Sequence, residues 1–101
     1  MYISNMTHFL DEQGNIPKQM PKEARELASF LALVIDTTTN SNPKRLTATN
    51  IRCFEKGCQR TARVEMLPSN EIHWMCSRCK HEGKISHWQG IMWDNSRIKG
   101  H

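Results

Sequence analysis

Cys53-Phe-Glu-Lys-Gly-Cys58 and, seventeen residues further on, Cys76-Ser-Arg-Cys79 together hold every cysteine of the chain. Two short cysteine pairs separated by a hairpin's length of chain can bring four thiolates to the corners of a tetrahedron, the geometry Zn2+ accepts at about 2.3 Å from each sulfur. The spacing therefore predicts one structural zinc ion held by Cys53, Cys58, Cys76 and Cys79. An iron tetrathiolate has similar geometry, but the four residues between Cys53 and Cys58 suit it poorly. With four protein ligands the ion has no open position for water and no Lewis-acid chemistry to offer.

The segment between the pairs reads as strand, turn, strand. Ala62, Val64 and Met66 alternate with Thr61, Arg63 and Glu65; Pro68-Ser69-Asn70 makes a turn; and Ile72 to Met75 returns to the second pair. Gly83 then leads into a third strand through Trp88. His73, His81 and His87 lie near enough to tempt a ligand assignment, but four cysteines leave no need for one.

Before the first pair, Ala24, Leu27, Ala28, Leu31, Val34 and Ile35 recur at three- and four-residue spacing, which predicts an amphipathic helix from Pro21 to about Asp36. Pro21, Glu23 and Glu26 suit its N-terminus. Residues 2–20 read as an apolar flap: two extended pieces, the second at Ile16-Pro17, about a turn at Asp11-Glu12-Gln13-Gly14-Asn15. Thr37 to Asn50, polar and without apolar periodicity, reads as a linker.

From Ile51 to Trp93 the order knuckle, hairpin, knuckle, strand resembles the zinc-ribbon class. That resemblance implies a three-stranded antiparallel sheet with one zinc clamped at its end, and it leaves function open, since ribbons serve many processes. Neither Gln59 nor Lys80 is the glycine often found after a knuckle's second cysteine. The start Thr7-His-Phe-Leu-Asp-Glu-Gln-Gly-Asn-Ile-Pro17, joined to a helix and a ribbon, also resembles a group of small bacterial proteins, a likeness that brings no activity with it.

The fold expected is thus small, metal-stabilised α+β: flap and helix over 1–36, linker over 37–50, three-stranded antiparallel zinc ribbon over 51–93 and a tail over 94–101. At 101 residues, with 38% hydrophobic residues, the chain has little apolar area to spare, so the metal is expected to hold the C-terminal half together.

The formal charge is +4, with all the excess beyond residue 50. Four thiolates around one Zn2+ contribute a net charge of about −2, which weakens the argument from basicity toward nucleic acid. Lys56, Arg60, Arg78 and Lys80 at the knuckles are nonetheless candidates to meet a phosphate backbone, with Trp74 or Trp88 as a platform for a stacked base. The other reading of the tryptophans is core, packed against the helix. The expected function is a non-catalytic zinc-ribbon binding module, with nucleic acid as preferred ligand and a protein-interaction or assembly module as alternative. A continuous basic face through Arg52, Arg60, Arg63 and Lys84 would favour nucleic acid, and glutamates scattered through it a protein partner.

No paired acid and base, nucleophile elbow, HExxH or phosphate-binding glycine loop points to an enzyme. The first residues lack a basic region followed by an apolar run, and no window approaches a membrane span, so a cytoplasmic protein is expected. Oligomeric state is not legible in the chain.

Overall fold

The computed structural model describes residues 1–55, 57–76 and 78–96. It is an α+β fold in two layers, one helix lying on one face of a five-stranded mixed sheet. The elements are β1 (Tyr2–Asn5), α1 (Lys22–Ser41), β2 (Thr47–Arg52), β3 (Thr61–Met66), β4 (Ile72–Cys76) and β5 (Glu82–Ser86), with a short 3-10 turn at Met6–Phe9. Across the sheet the order is β1-β5-β4-β3-β2.

The expected three antiparallel strands are present as β3, β4 and β5, but they are the centre of a wider sheet. Two strands are added. On one side β1 pairs with β5 in parallel, Tyr2 opposite Gly83 and Ser4 opposite Ile85, so the first piece of the N-terminal flap is part of the sheet. On the other side β2 pairs antiparallel with β3, with an irregularity between Ala48 and Arg52 that the Thr49 hydroxyl bridges by donating to the Ala62 carbonyl at 2.7 Å. The second extended piece expected at Ile16-Pro17 is not a strand, whereas the turn before it is built as expected: the Asp11 carboxylate accepts from the backbone N–H groups of Gln13 and Asn15, and Gly14 takes a positive φ.

Helix α1 follows Pro21 and runs five residues beyond Asp36, so the first part of the expected linker is helical and its last part is β2. The extension rests on tertiary packing. Thr38 and Thr39 are buried, and the Thr39 hydroxyl donates back to the Ile35 carbonyl at 2.7 Å, as a threonine inside a helix can. Asn42, in the left-handed region at φ 50°, ends the helix with its N–H on the Thr38 carbonyl.

Alternation along the strands sorts the sheet into two faces. Ala62, Val64, Ile72, Trp74 and Ile85 point inward and meet Phe30, Leu31, Val34 and Ile35 of α1 in one core. Thr61, Arg63, Glu65, His73, Met75 and Lys84 alternate with them and point to the opposite face. Beyond β5 the chain folds back to α1: Asn95 donates its backbone N–H to the Thr39 hydroxyl and its side-chain amide to the Asp36 carbonyl, both at 2.9 Å. The front of the expected tail, Asp94 to Ser96, therefore packs on the domain, and residues 97–101 lie outside the described ones. No helix among the described residues is long and apolar enough to cross a membrane.

Candidate metal centre

The two cysteine-bearing turns lie at one end of the sheet, where β2 runs out into Cys53 and β4 ends at Cys76. Cross-strand bonds fix both. Cys53 donates its N–H to the Arg60 carbonyl at 2.9 Å, and Cys76 donates to the His81 carbonyl at 2.8 Å. Inside the first turn Gly57 has φ 87°, a conformation open to glycine at little steric cost. In the second turn the positive φ falls after the second cysteine, on Lys80 at 59°, where its N–H reaches the Cys76 carbonyl. The lysine thus adopts the backbone of the glycine whose absence is notable in the sequence.

The four Sγ atoms lie within 4.8 Å of one another, with Cys53 to Cys79 at 3.5 Å and Cys58 to Cys76 at 3.6 Å. A tetrahedron with metal–sulfur bonds of about 2.3 Å has its sulfurs about 3.8 Å apart, so the set is already close to ligand geometry. These four residues could hold a metal ion. None is in a disulfide, and three of the four are buried. Among the described residues no histidine or carboxylate joins the cluster: His81 instead faces Glu55 at 3.2 Å, and His73 faces Glu65 and Glu82.

Backbone amides aim at the sulfurs. Burial opposes ionisation of Cys76, but the N–H groups of Cys79 and Arg78, together with hydrogen bonds from the Cys79 and Cys58 thiols, outweigh it and bring that thiol down to about 7. Burial prevails at Cys53, against the N–H of Glu55, and at Cys79, against the N–H of His81, so both thiols are raised. The same amides that oppose burial here would stabilise thiolates at Cys53, Cys76 and Cys79 around a cation, a second shell of donors typical of metal sites.

An aromatic cluster joins this end of the sheet to the core. Phe54, next to Cys53, packs on Phe30 of α1, Trp74 of β4 and Tyr2 of β1 with ring centroids 5.2 to 5.7 Å apart, and His81, two residues beyond Cys79, packs on Tyr2 and Phe54. The candidate ligands are thereby anchored to strand, helix and sheet at once. Reading the sequence alone misses Phe54 and Tyr2 in this role, although an aromatic residue directly after a ligand cysteine was available as a signal.

The candidate nucleic-acid contacts fare unequally. Arg60, Arg78 and Lys80 are exposed around the cysteines, and Lys56 lies outside the described residues. Trp74 is 0% exposed and Trp88 5%, and the Trp88 indole N–H donates to the Asn70 carbonyl at 2.8 Å. Both rings are core, so neither offers a free face to a base, and the platform reading is corrected. On the outer face of the sheet the basic row is broken: Glu65 and Glu82 hold His73 between them at 2.7 and 3.1 Å, in the strands that carry Arg63 and Lys84. Comparison with protein-family models, with curated proteins and with solved structures finds no match to this chain.

Proposed function

We propose that this chain is a non-catalytic interaction module, held in shape by one structural Zn2+ on Cys53, Cys58, Cys76 and Cys79, and that its partner is a protein. The observation that carries the choice of partner is the Glu65–His73–Glu82 arrangement in the middle of the outer sheet face, where a phosphate backbone would need uninterrupted positive charge. The burial of Trp74 and Trp88 supports the same reading, because it removes the stacking surfaces that a single strand would use. Zinc is favoured over iron by the long first turn, and the knuckles at one end of β3, β4 and β5 keep the zinc-ribbon likeness for that part of the sheet. Four thiols free of disulfides suit a reducing compartment such as the cytoplasm.

Zinc here supplies shape and no reaction. A site closed by four sulfurs leaves no position for a substrate, and Phe54, next to Cys53 in the chain, belongs to the aromatic cluster that fixes β1 and α1 to the sheet.

Nucleic acid is the second reading, favoured by the exposed Arg60, Arg78 and Lys80 at the metal end. Fluorescence titration of the zinc-loaded chain with random single- and double-stranded oligonucleotides separates the two. The protein-partner reading expects no saturable binding at moderate salt. Saturable binding that weakens with salt at a log–log slope of about −2 to −4, as for roughly three or four phosphate contacts, would overturn it.

A further inference from the structure

Resting on the protein-partner reading, we infer that the partner docks as an extended segment along the free edge of β2, in the groove between that edge and α1, and that this segment is apolar with acidic residues at one end.

Three observations meet at this groove. First, β2 is the last strand of the sheet, bonded only to β3, so the backbone groups on its other side face outward. An edge of this kind is a template for one more strand, and proteins bind peptides in this way.

Second, α1 and that edge strand line a common groove. Ser29, Leu33, Thr37 and Ser41, one helical turn apart, line the helical side of two adjoining hollows of about 460 and 410 Å³, while Arg52 lines both from the strand side. Leu33 sits at their junction and is 52% exposed, the most exposed apolar residue of the helix. A sixth strand beside β2 would lie over Leu33 as the inner strands lie over Leu31 and Val34, with alternate side chains turned toward it. Thr47, Ala48 and Asn50 of β2 are themselves exposed, so nothing in the described chain occupies that place.

Third, the charge at one end selects the ligand. The first hollow carries Lys22, Arg25 and Arg52 against the single carboxylate of Glu26, which is paired with Lys22 at 4.0 Å. Among the described residues no carboxylate is in salt-bridge contact with Arg25 or Arg52. Two unpaired guanidiniums beside an apolar hollow fit carboxylates on the incoming segment, which Arg can grip in bidentate fashion. A second copy of the chain fits less well, because the exposed side chains of β2 carry no acidic residue to meet these arginines.

The test is selection of random peptides displayed on phage against the zinc-loaded full chain, followed by fluorescence titration of the selected peptide made synthetically. The expected peptide alternates apolar residues and ends in Asp or Glu. Its binding shifts the amide resonances of Thr47 to Arg52 and the methyl resonances of Leu33. Leu33→Asp and Arg52→Glu, both at exposed positions and so compatible with folding, each weaken it about tenfold or more. Selected peptides that bind the chain unaffected by both variants would overturn this surface and leave the protein-partner reading standing. A library that yields nothing, or a chain that elutes as a dimer made monomeric by Leu33→Asp, would overturn the proposed ligand. Saturable oligonucleotide binding is the separate result that would remove the reading beneath it.

Discussion

Gly83 stands directly opposite Trp74 across β4 and β5, and a Cβ at Gly83 would come within 2.9 Å of the indole and 2.6 Å of the Tyr2 carbonyl oxygen. The missing side chain is what lets the largest core residue lie flat against its neighbour strand while β1 closes on the other side. Because the second contact is with backbone, no rotamer change can relieve it. Gly83→Ala is therefore expected to destabilise the domain by about 1–3 kcal/mol and to raise hydrogen exchange in β1 first. An unchanged melting temperature with protected Tyr2–Asn5 amides would count against this packing.

Thr38 offers the opposite sign. Its hydroxyl is fully buried on α1 and has no hydrogen-bond partner among the described residues, whereas Thr39 beside it is satisfied by the Ile35 carbonyl. A buried polar group without a partner costs stability, and valine fills nearly the same volume. Thr38→Val is expected to stabilise the chain by about 1 kcal/mol, read as a higher denaturant midpoint at constant slope. Thr39→Val should instead destabilise, since it removes the acceptor that receives the Asn95 N–H.

These two threonines also mark where reading from sequence alone reached its limit. The apolar spacing from Ala24 to Ile35 shows the helix plainly, but Thr37-Thr-Thr-Asn-Ser41 carries no such signal and is helical because the core and Asn95 engage it. Thr47-Ala-Thr-Asn-Ile-Arg52 has one buried apolar residue, Ile51, so an edge strand there leaves almost no periodicity to find. In β1 hydropathy points the wrong way: Ile3 is 71% exposed and Ser4 7%, a register set by the parallel pairing with β5. Parallel partners lie at opposite ends of this chain, and no local pattern announces them. The cysteine cluster was legible, because short-range spacing and thiol chemistry suffice to define it, and the burial of Trp74 and Trp88 became decidable once the sheet had its second layer.

Proton release follows from the thiols. Cys53 and Cys79 are raised above the ordinary value of 9.0 in the metal-free chain and are protonated at neutral pH, while Cys76 at about 7 is partly ionised. A metal takes thiolates, so loading at pH 7 must expel at least the protons of Cys53 and Cys79 and part of that of Cys76. The sign is fixed: affinity rises with pH as protons become easier to remove, and falls as pH drops through 7 and Cys76 also protonates. Calorimetric titration of the metal in buffers of different ionisation enthalpy counts the protons. Release of fewer than two at pH 7 would contradict these ionisation states.

The proposed structural zinc depends on four cysteines acting as one closed site, and native mass spectrometry of the zinc-loaded full chain beside the four single Cys→Ser variants tests that most directly. One zinc per wild-type chain is expected, and loss of zinc in each variant together with a broadened, unfolded charge-state distribution, because structural zinc in small domains contributes roughly 10–16 kcal/mol. A wild-type chain without zinc, or variants that each keep full zinc occupancy and a folded distribution, would contradict it.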